Sequence, residues 1–269
     1  MPHGMRTVTD VVKRRRPDGF EHEVTAGVHA GVLGASDAPD VVCVHGLGCS
    51  HRYFLPLARR LAPRARVAAP DLPGFGRTPG PAEPLDVRGL SRALADWLRA
   101  TGRGGATLVA NSGGCQVVVD LAAHSPDLLG PVVLISPTMD RHARSAVRQL
   151  ARLAADIPRE RPTLPFVVGL DYLTCGPRRM AATFRHLLDD PIEHKLRHVR
   201  TPTVVTRGSR DPIVSHEWAA EVAGLLPDGR LVEVPGAGHA LNYSAADALA
   251  DLVRPLLSHR RPNDSSTTG

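Results

Sequence analysis

The stretch "VANSGGCQVVV", residues 109–119, places one serine between two runs of aliphatic residues. The first run is typical of the end of a buried β-strand, and the glycines after Ser112 are typical of a tight turn before a helix. Two interpretations are open at this point. Ser112 is either a nucleophile that a sharp turn lifts clear of a sheet, or an ordinary small residue at a strand-to-helix junction.

Six short apolar, largely β-branched runs recur along the chain, and each is typical of a strand buried on both faces. They are "VVCVHG" (41–46), "RVAAPDL" (66–72), "ATLVANS" (106–112), "PVVLISPT" (131–138), "PTVVTRG" (202–208) and "RLVEVPG" (230–236). Amphipathic stretches separate them, such as residues 87–102, where Leu90, Leu94, Trp97 and Leu98 recur at helical spacing. This alternation predicts an α/β fold with a mostly parallel central sheet and helices on both faces.

The interval 139–198 breaks this alternation, because it has no strand candidate. It holds helix-like stretches at 141–157 and 177–190 with a proline-punctuated segment between them, and it is too long for an ordinary crossover. We therefore expect a helical cap at 139–198, inserted between the two parts of a core domain at 20–138 and 199–258. The polar segments 1–19 and 259–269 are expected to be flexible tails.

The charge pattern gives little reason to expect a nucleic-acid partner. The net charge is +6, but only two of the basic residues are lysines, and the one dense basic cluster is "KRRR" at 13–16. No zinc-ligand spacing or RNA-binding motif accompanies that cluster, and aromatic residues make up only 4% of the chain. We interpret the cluster as part of a solvated tail.

The cysteines and the N-terminal segment predict a cytoplasmic protein. Cys43, Cys49, Cys115 and Cys175 form no CxxC pair, which favours free thiols in a reducing compartment. The N-terminal residues contain no apolar segment typical of a signal peptide, and no stretch has the roughly 18 apolar residues of a membrane span. We therefore expect neither secretion nor a membrane partner.

Polar residues suited to catalysis follow the predicted strands at their carboxyl ends, where open parallel sheets bind ligands. Ser112 follows the third run, Asp211 lies in "RGSRDPI" (207–213), and His239 lies in "PGAGHALN" (235–242). With "HGLGCS" (45–50) and "DLPGFGRT" (71–78), this order of Ser, Asp and His resembles the α/β-hydrolase superfamily, in particular its capped members with esterase or C–C hydrolase activity. The resemblance runs from about residue 31 to residue 255.

The resemblance implies a catalytic triad. Ser112 is the expected nucleophile, His239 its base, and Asp211 the acid that orients the histidine, with Asp140 as the alternative acid. We interpret Asp71 differently, as a structural residue that holds the glycine-rich loop after it.

The turn around the serine departs from the family's G-x-S-x-G pattern at one position. Ala110 stands where the first glycine is usual, so its methyl group must fit against the helix that follows, whereas Gly114 is retained. The backbone N–H groups of Leu47 and Gly113 are expected to form an oxyanion hole.

Substrate contacts are expected from the "HGLG" loop and from the cap, at His45, Gly46, Met139, Phe166, Leu170 and Tyr172. Their largely apolar character favours a small hydrophobic ester or lactone, hydrolysed through an acyl-enzyme without a cofactor or metal. The same triad also fits a C–C bond hydrolase or a lyase or cyclase, and a ligand-binding protein with little turnover remains a third reading. The expected partner is a small molecule, and a homodimer is left open.

Overall fold

The central sheet has eight strands. The structure, a computed structural model that describes residues 19–258, arranges them in the order 1-2-4-3-5-6-7-8. They are β1 (Glu21–Thr25), β2 (Val28–Leu33), β3 (Asp40–Val44), β4 (Arg66–Pro70), β5 (Thr107–Asn111), β6 (Val132–Ile135), β7 (Thr203–Gly208) and β8 (Gly229–Val234). Strand β2 pairs antiparallel with β1 and β4, and the other neighbours pair parallel. All six predicted runs contain strands, so the predicted α/β fold is confirmed.

Helices cover both faces of this sheet. They are α1 (Leu55–Leu61), α2 (Val87–Thr101), α3 (Gly113–His124), α4 (Ala146–Asp156), α5 (Leu164–Cys175), α6 (Pro177–Asp189), α7 (His216–Leu225), α8 (Leu241–Ser244) and α9 (Ala246–Val253). Strand β3 illustrates the packing: Val42 and Val44 belong to the core shared with α2, α3 and α7, while Val41 and Cys43 belong to the core shared with α1 and α9. A strand with both faces covered must be apolar at every position, which is why these runs stand out in the sequence.

Helix α2 has the boundaries that its end residues favour. The Asp86 side chain accepts a hydrogen bond from the N–H of Gly89 at 2.7 Å, and Gly102 ends the helix with a φ of 67°. The residues at helical spacing, Leu90, Leu94, Trp97 and Leu98, are all buried against the sheet.

Two features at the edges of the sheet differ from the predictions. The hairpin of β1 and β2 was not predicted, because β1 is a polar, half-exposed strand. Its turn is formed by Ala26 and Gly27, with φ of 52° and 76°. Strand β8 was expected to be buried on both faces, and this is wrong: it lies at the sheet edge, and Val234 is its only buried residue.

The chain between β6 and β7 is helical, as predicted. Residues 139–198 are described throughout and contain α4, α5 and α6 with short 3-10 turns, but no strand. Helices α4 and α6 lie within the stretches predicted to be helical, whereas α5 occupies the proline-punctuated segment between them. The predicted tails, including "KRRR", fall outside the described residues apart from Gly19.

The four cysteines are free thiols, as expected. Among residues 19–258, no helix combines the length and the hydropathy that crossing a bilayer requires.

Candidate active site

Ser112 occupies the turn between β5 and α3 in a backbone conformation that residues other than glycine rarely adopt. Its φ is 55° and its ψ is −123°, and strained conformations of this kind persist mainly at functional sites. The Ser112 N–H donates to the carbonyl of Ile135 on β6 at 2.9 Å, which ties the turn to the sheet. This sharp turn favours the first of the two interpretations of Ser112.

Small residues around the turn allow α3 to approach the sheet. A Cβ atom at Gly114 would lie 2.4 Å from the carbonyl oxygen of Val44, a separation that only glycine avoids. A Cβ atom at Gly46 would lie 3.1 Å from the Cβ of Ser112, so that loop also passes close to the turn. Ala110 is fully buried in the core shared with α2 and α3, so the fold accommodates its methyl group.

His239 and Asp211 form a buried pair at the carboxyl edge of the sheet. The His239 Nδ1 lies 3.0 Å from Oδ2 of Asp211, while the other oxygen of Asp211 accepts the N–H groups of Ile213 and Val214. Burial alone would lower the pKa of His239, but the adjacent Asp211 carboxylate outweighs it and the pKa is raised. Burial likewise opposes ionisation of Asp211, yet the histidine and its hydrogen bonds keep the pKa of Asp211 below the ordinary value.

The alternative acid, Asp140, has other partners. Its Oδ2 pairs with Nη1 of Arg152 at 3.0 Å, and its Oδ1 accepts the N–H of His142. The structure therefore brings Asp211, and not Asp140, to the imidazole of His239.

Ser112 and His239 line the same cavity. Within the described part of the chain, the Ser112 hydroxyl makes no hydrogen bond, to the imidazole or to any other group. In enzymes without bound substrate, the distance between the nucleophile and its base is often longer than in the reacting complex. The two side chains therefore line the same cavity without a direct hydrogen bond between them.

Two backbone N–H groups, one at the N-terminus of α3 and one in the "HGLG" loop, lack a hydrogen-bond partner in the described part of the chain. The N–H groups of Gly113 and Leu47 form no hydrogen bond with any residue from 19 to 258. Gly113 begins a helix of twelve residues, whose N-terminal partial charge favours an anion there. Both N–H groups are therefore free of protein partners, and Leu47 lines the cavity that contains Ser112.

The cavity next to Ser112 has a volume of about 300 Å³ and mostly apolar walls. Of the predicted substrate contacts, Gly46, Met139 and Tyr172 line it. Most of its apolar and aromatic surface comes from the helical segment at 139–198 and from the loop after β3: Leu47, Leu153, Ile157, Leu164, Val168, Phe184 and Leu187.

The structure corrects three predicted substrate contacts. Phe166 and Leu170 are 80% and 52% exposed, because they lie on the face of α5 opposite Leu164, Val168 and Tyr172, which line the cavity at helical spacing. A count of apolar residues in the segment could not separate these two faces.

His45 is the third correction. It is buried outside the cavity, and its ring bridges two loops: Nδ1 donates to the carbonyl of Gly46 at 2.8 Å, and Nε2 accepts the N–H of Leu72 at 3.0 Å. Burial lowers the pKa of His45, which is consistent with the neutral ring that this bridge requires. His45 therefore supports the loop and is not exposed to a ligand in the cavity.

Two acids that were not predicted as site residues also line the cavity. Asp156 ends α4, Glu160 follows one helical turn later, and both carboxylates reach the loop that carries His239. The spacing of four residues in "DIPRE" was visible in the sequence, but nothing in it indicated that the segment folds back onto this loop.

Asp71 has the structural role predicted for it. Its carboxylate accepts the N–H groups of His51 and Arg77 and lies 2.9 and 3.0 Å from the Nδ1 atoms of His29 and His51. The side chains of His29, His51 and Asp71 form the one group among residues 19–258 whose ligand atoms lie close enough together to hold a metal ion. Since they are already joined by direct hydrogen bonds away from the cavity, they fasten the glycine-rich loop to β2.

Comparisons with known proteins agree with this architecture. The sequence profile of the alpha/beta hydrolase family matches residues 41–252. The chain is 29% identical over 230 residues to 2-(acetamidomethylene)succinate hydrolase of Mesorhizobium japonicum, covering 76% of this chain and 82% of that protein. It is 30% identical over 249 residues to pimeloyl-(acyl-carrier protein) methyl ester esterase of Chromobacterium violaceum, covering 82% of this chain and 94% of the relative.

A solved structure extends the likeness to the fold. A thermophilic esterase from Thermogutta terrifontis matches with a TM-score of 0.74 at 21% identity, over 94% of this chain and 98% of that one. At this identity the match describes the fold alone.

Proposed function

The chain belongs to the alpha/beta hydrolase family, and we propose that it is a serine hydrolase that cleaves a small hydrophobic ester or lactone through an acyl-enzyme. The observation that carries the proposal is the strained turn at Ser112, which opens onto the same cavity as His239 and its partner Asp211. A serine needs such a base, because its hydroxyl is a weak nucleophile at neutral pH.

The reaction follows from the positions of these groups. As the Ser112 Oγ attacks the substrate carbonyl, Nε2 of His239 takes the hydroxyl proton, and the N–H groups of Leu47 and Gly113 stabilise the oxyanion. Collapse of this intermediate breaks the bond to the alcohol oxygen, which receives the proton from His239. Water then loses a proton to His239 as it attacks the acyl-enzyme, and collapse releases the acid and restores Ser112.

Asp211 keeps the histidine in the useful tautomer. Its carboxylate accepts the Nδ1 proton, so Nε2 is left unprotonated and free to act as the base. The same negative charge stabilises the imidazolium that forms in each half of the reaction.

The apolar walls support a hydrophobic acyl group, since they exclude water around the reacting carbonyl and offer few polar partners. The names of the relatives support hydrolysis, and they differ in substrate. The site and the family therefore support hydrolysis, and the cavity supports a hydrophobic substrate.

Labelling with a fluorophosphonate tests the nucleophile. We expect wild-type protein to be labelled once and Ser112→Ala to remain unlabelled, while Ser36→Ala, which changes an exposed serine in a loop, is labelled like wild type. Absence of labelling in the wild-type protein contradicts the proposal and favours a ligand-binding protein.

Hydrolysis of a p-nitrophenyl ester series tests the bond that is cleaved. We expect kcat/KM to rise with acyl length until the cavity is filled and to fall beyond that point. Labelling of Ser112 without turnover of any ester in the series contradicts an esterase and favours C–C bond hydrolysis or lyase chemistry.

A further inference from the structure

Two carboxylates from the helical segment lie beside the base. Asp156 is 6% exposed, and its Oδ1 accepts the backbone N–H of His239 at 3.2 Å. Glu160 accepts the N–H of Ala240 at 2.7 Å, and its second oxygen accepts the hydroxyl of Ser244. The wall of the cavity next to the histidine is therefore acidic.

Asp156 uses only one of its two oxygens. Throughout residues 19–258, no group donates a hydrogen bond to its Oδ2, and this oxygen is not among the fully buried ones, so it remains accessible. Because Asp156 lines the cavity, a bound molecule is in a position to supply that donor or a compensating charge.

Among the described residues that line the cavity, the basic side chain beside these acids is His239 itself. In the part of the chain that the structure describes, neither Asp156 nor Glu160 pairs with an arginine or lysine, and the cavity lining contains no residue of either type. The nearest candidate along α4, Arg152, is paired with Asp140 instead. A cavity that is apolar on most sides and acidic on one side is complementary to an alkylammonium group, whose methylene groups and charge match the two surfaces.

We infer that the cavity binds substrates that carry a cationic nitrogen, held by Asp156, and that it disfavours acyl groups with a terminal carboxylate. This inference rests on the proposed function, because it assumes that the substrate occupies the cavity beside Ser112. It narrows the substrate class from hydrophobic esters to hydrophobic esters with an ammonium group.

The state of Asp156 agrees with such a site. Burial raises the pKa of this carboxyl to about 6, and the nearby His239 partly opposes the rise. The group is therefore mostly ionised at neutral pH but held at a cost, which a bound cation relieves. The ring of Tyr172 lines the same cavity and offers a further aromatic contact to an ammonium group.

The test uses three p-nitrophenyl esters that share one chain of methylene groups and differ at its end. The first ends in trimethylammonium, the second in the isosteric tert-butyl group, and the third, the hemiglutarate, in a carboxylate. We expect kcat/KM of wild-type protein to be about tenfold higher for the cationic ester than for the isostere, and lower again for the carboxylate. This ratio needs no variant and so does not depend on one folding.

Asp156→Asn isolates the charge, because the amide oxygen can still accept the N–H of His239. We expect it to lower the ratio of cationic to neutral ester to nearly one; because both esters are compared on the same protein, any change in turnover that is common to them cancels from the ratio. Asp127→Asn is the matched control, since Asp127 is exposed and does not line the cavity, and it is expected to preserve the ratio.

Binding of butyltrimethylammonium to the Ser112→Ala protein, measured by calorimetry, gives a readout that is independent of turnover. We expect the added Asp156→Asn change to weaken this binding about tenfold. A wild-type ratio near one with unchanged binding overturns the inference, while hydrolysis of the neutral ester leaves the proposed function standing. Cation binding that depends on Asp156, without hydrolysis of any ester, supports the inferred site and overturns the proposed function instead.

Discussion

His239 receives its carboxylate partner from Asp211, at 3.0 Å between Nδ1 and Oδ2, although Asp140 also follows a strand of the same sheet. Asp140 turns to Arg152. Only one of the two acids can therefore control the tautomer and charge of the imidazole.

Asp211→Asn is expected to lower kcat by about a thousandfold or more, because an amide can favour the wrong tautomer and cannot stabilise the imidazolium. Asp140→Asn is expected to lower kcat less than about tenfold, since it breaks a largely buried ion pair with Arg152 that lies outside the proposed triad. Steady-state kinetics on one neutral ester compares them, with circular dichroism to verify folding. A larger loss in the Asp140 variant would reverse our assignment of the acid.

The pH dependence of kcat/KM reports on His239. Burial alone would lower the pKa of this histidine, but the carboxylates of Asp211 and then Asp156 and Glu160 outweigh burial and raise it. Catalysis needs the neutral ring, so activity is expected to fall as pH decreases through a pKa above the ordinary value of about 6.5.

Asp156→Asn removes one of these charges and is expected to move the acid limb of the profile to lower pH. The measurement is the inflection of kcat/KM for the neutral ester, with Asp127→Asn as the control that leaves it in place. If the pH of this inflection is unchanged or higher in Asp156→Asn, the result contradicts the charge arrangement around His239.

The turn around Ser112 predicts opposite tolerance at its two small neighbours. Ala110→Gly restores the usual family pattern and is expected to keep kcat within about threefold while lowering the free energy of unfolding by about 1 kcal/mol, since it removes a buried methyl group. Gly114→Ala is expected to cost more than about 2 kcal/mol, because the new Cβ meets the Val44 carbonyl. Urea denaturation measures both, and equal costs would show that α3 packs less tightly than described.

Asp71 is expected to matter for stability and not for chemistry. Burial opposes its ionisation, but hydrogen bonds from His29 and His51 outweigh this and lower the pKa of Asp71. Asp71→Asn is expected to reduce the free energy of unfolding by about 3 kcal/mol at pH 7, because backbone and imidazole donors lose a charged acceptor.

The loss of unfolding free energy in Asp71→Asn is expected to depend on pH. A folded-state pKa below the unfolded value of about 3.9 gives stability that is present above that pH and disappears as the pH falls. The difference between wild type and Asp71→Asn should therefore shrink below about pH 4, whereas Asp37→Asn, at an exposed position, should change little. A difference that grows on acidification would contradict this account.

Much of the core was predictable because its rules are local. A strand covered on both faces is apolar at every position, so the continuous apolar runs predict strands β3 to β7 directly. The turn at Ser112 is equally local, since glycines directly after a strand leave few alternatives. The edge strands were harder: β1 is polar, and β8 has the composition of a buried strand while lying at the margin of the sheet.

The side chains of the helical segment at 139–198 that line the cavity could not be predicted from the sequence. Phe166 and Leu164 are both apolar residues of α5, yet one is exposed and the other faces the cavity. Asp156 and Glu160 look like ordinary surface acids until α4 is seen to end against the histidine loop. Which face of such a helix is buried depends on partners distant in sequence.

The sequence by itself determined the strands β3 to β8 and their alternation with helices, the tight turn at Ser112, and the candidates Asp211 and His239, because each depends on a residue and its near neighbours. Only the tertiary structure decided which acid meets the imidazole, which side chains line the cavity, and that two carboxylates stand beside the base. Those outcomes depend on how the helical segment and the loops after β6, β7 and β8 pack together, and no short-range pattern encodes that packing.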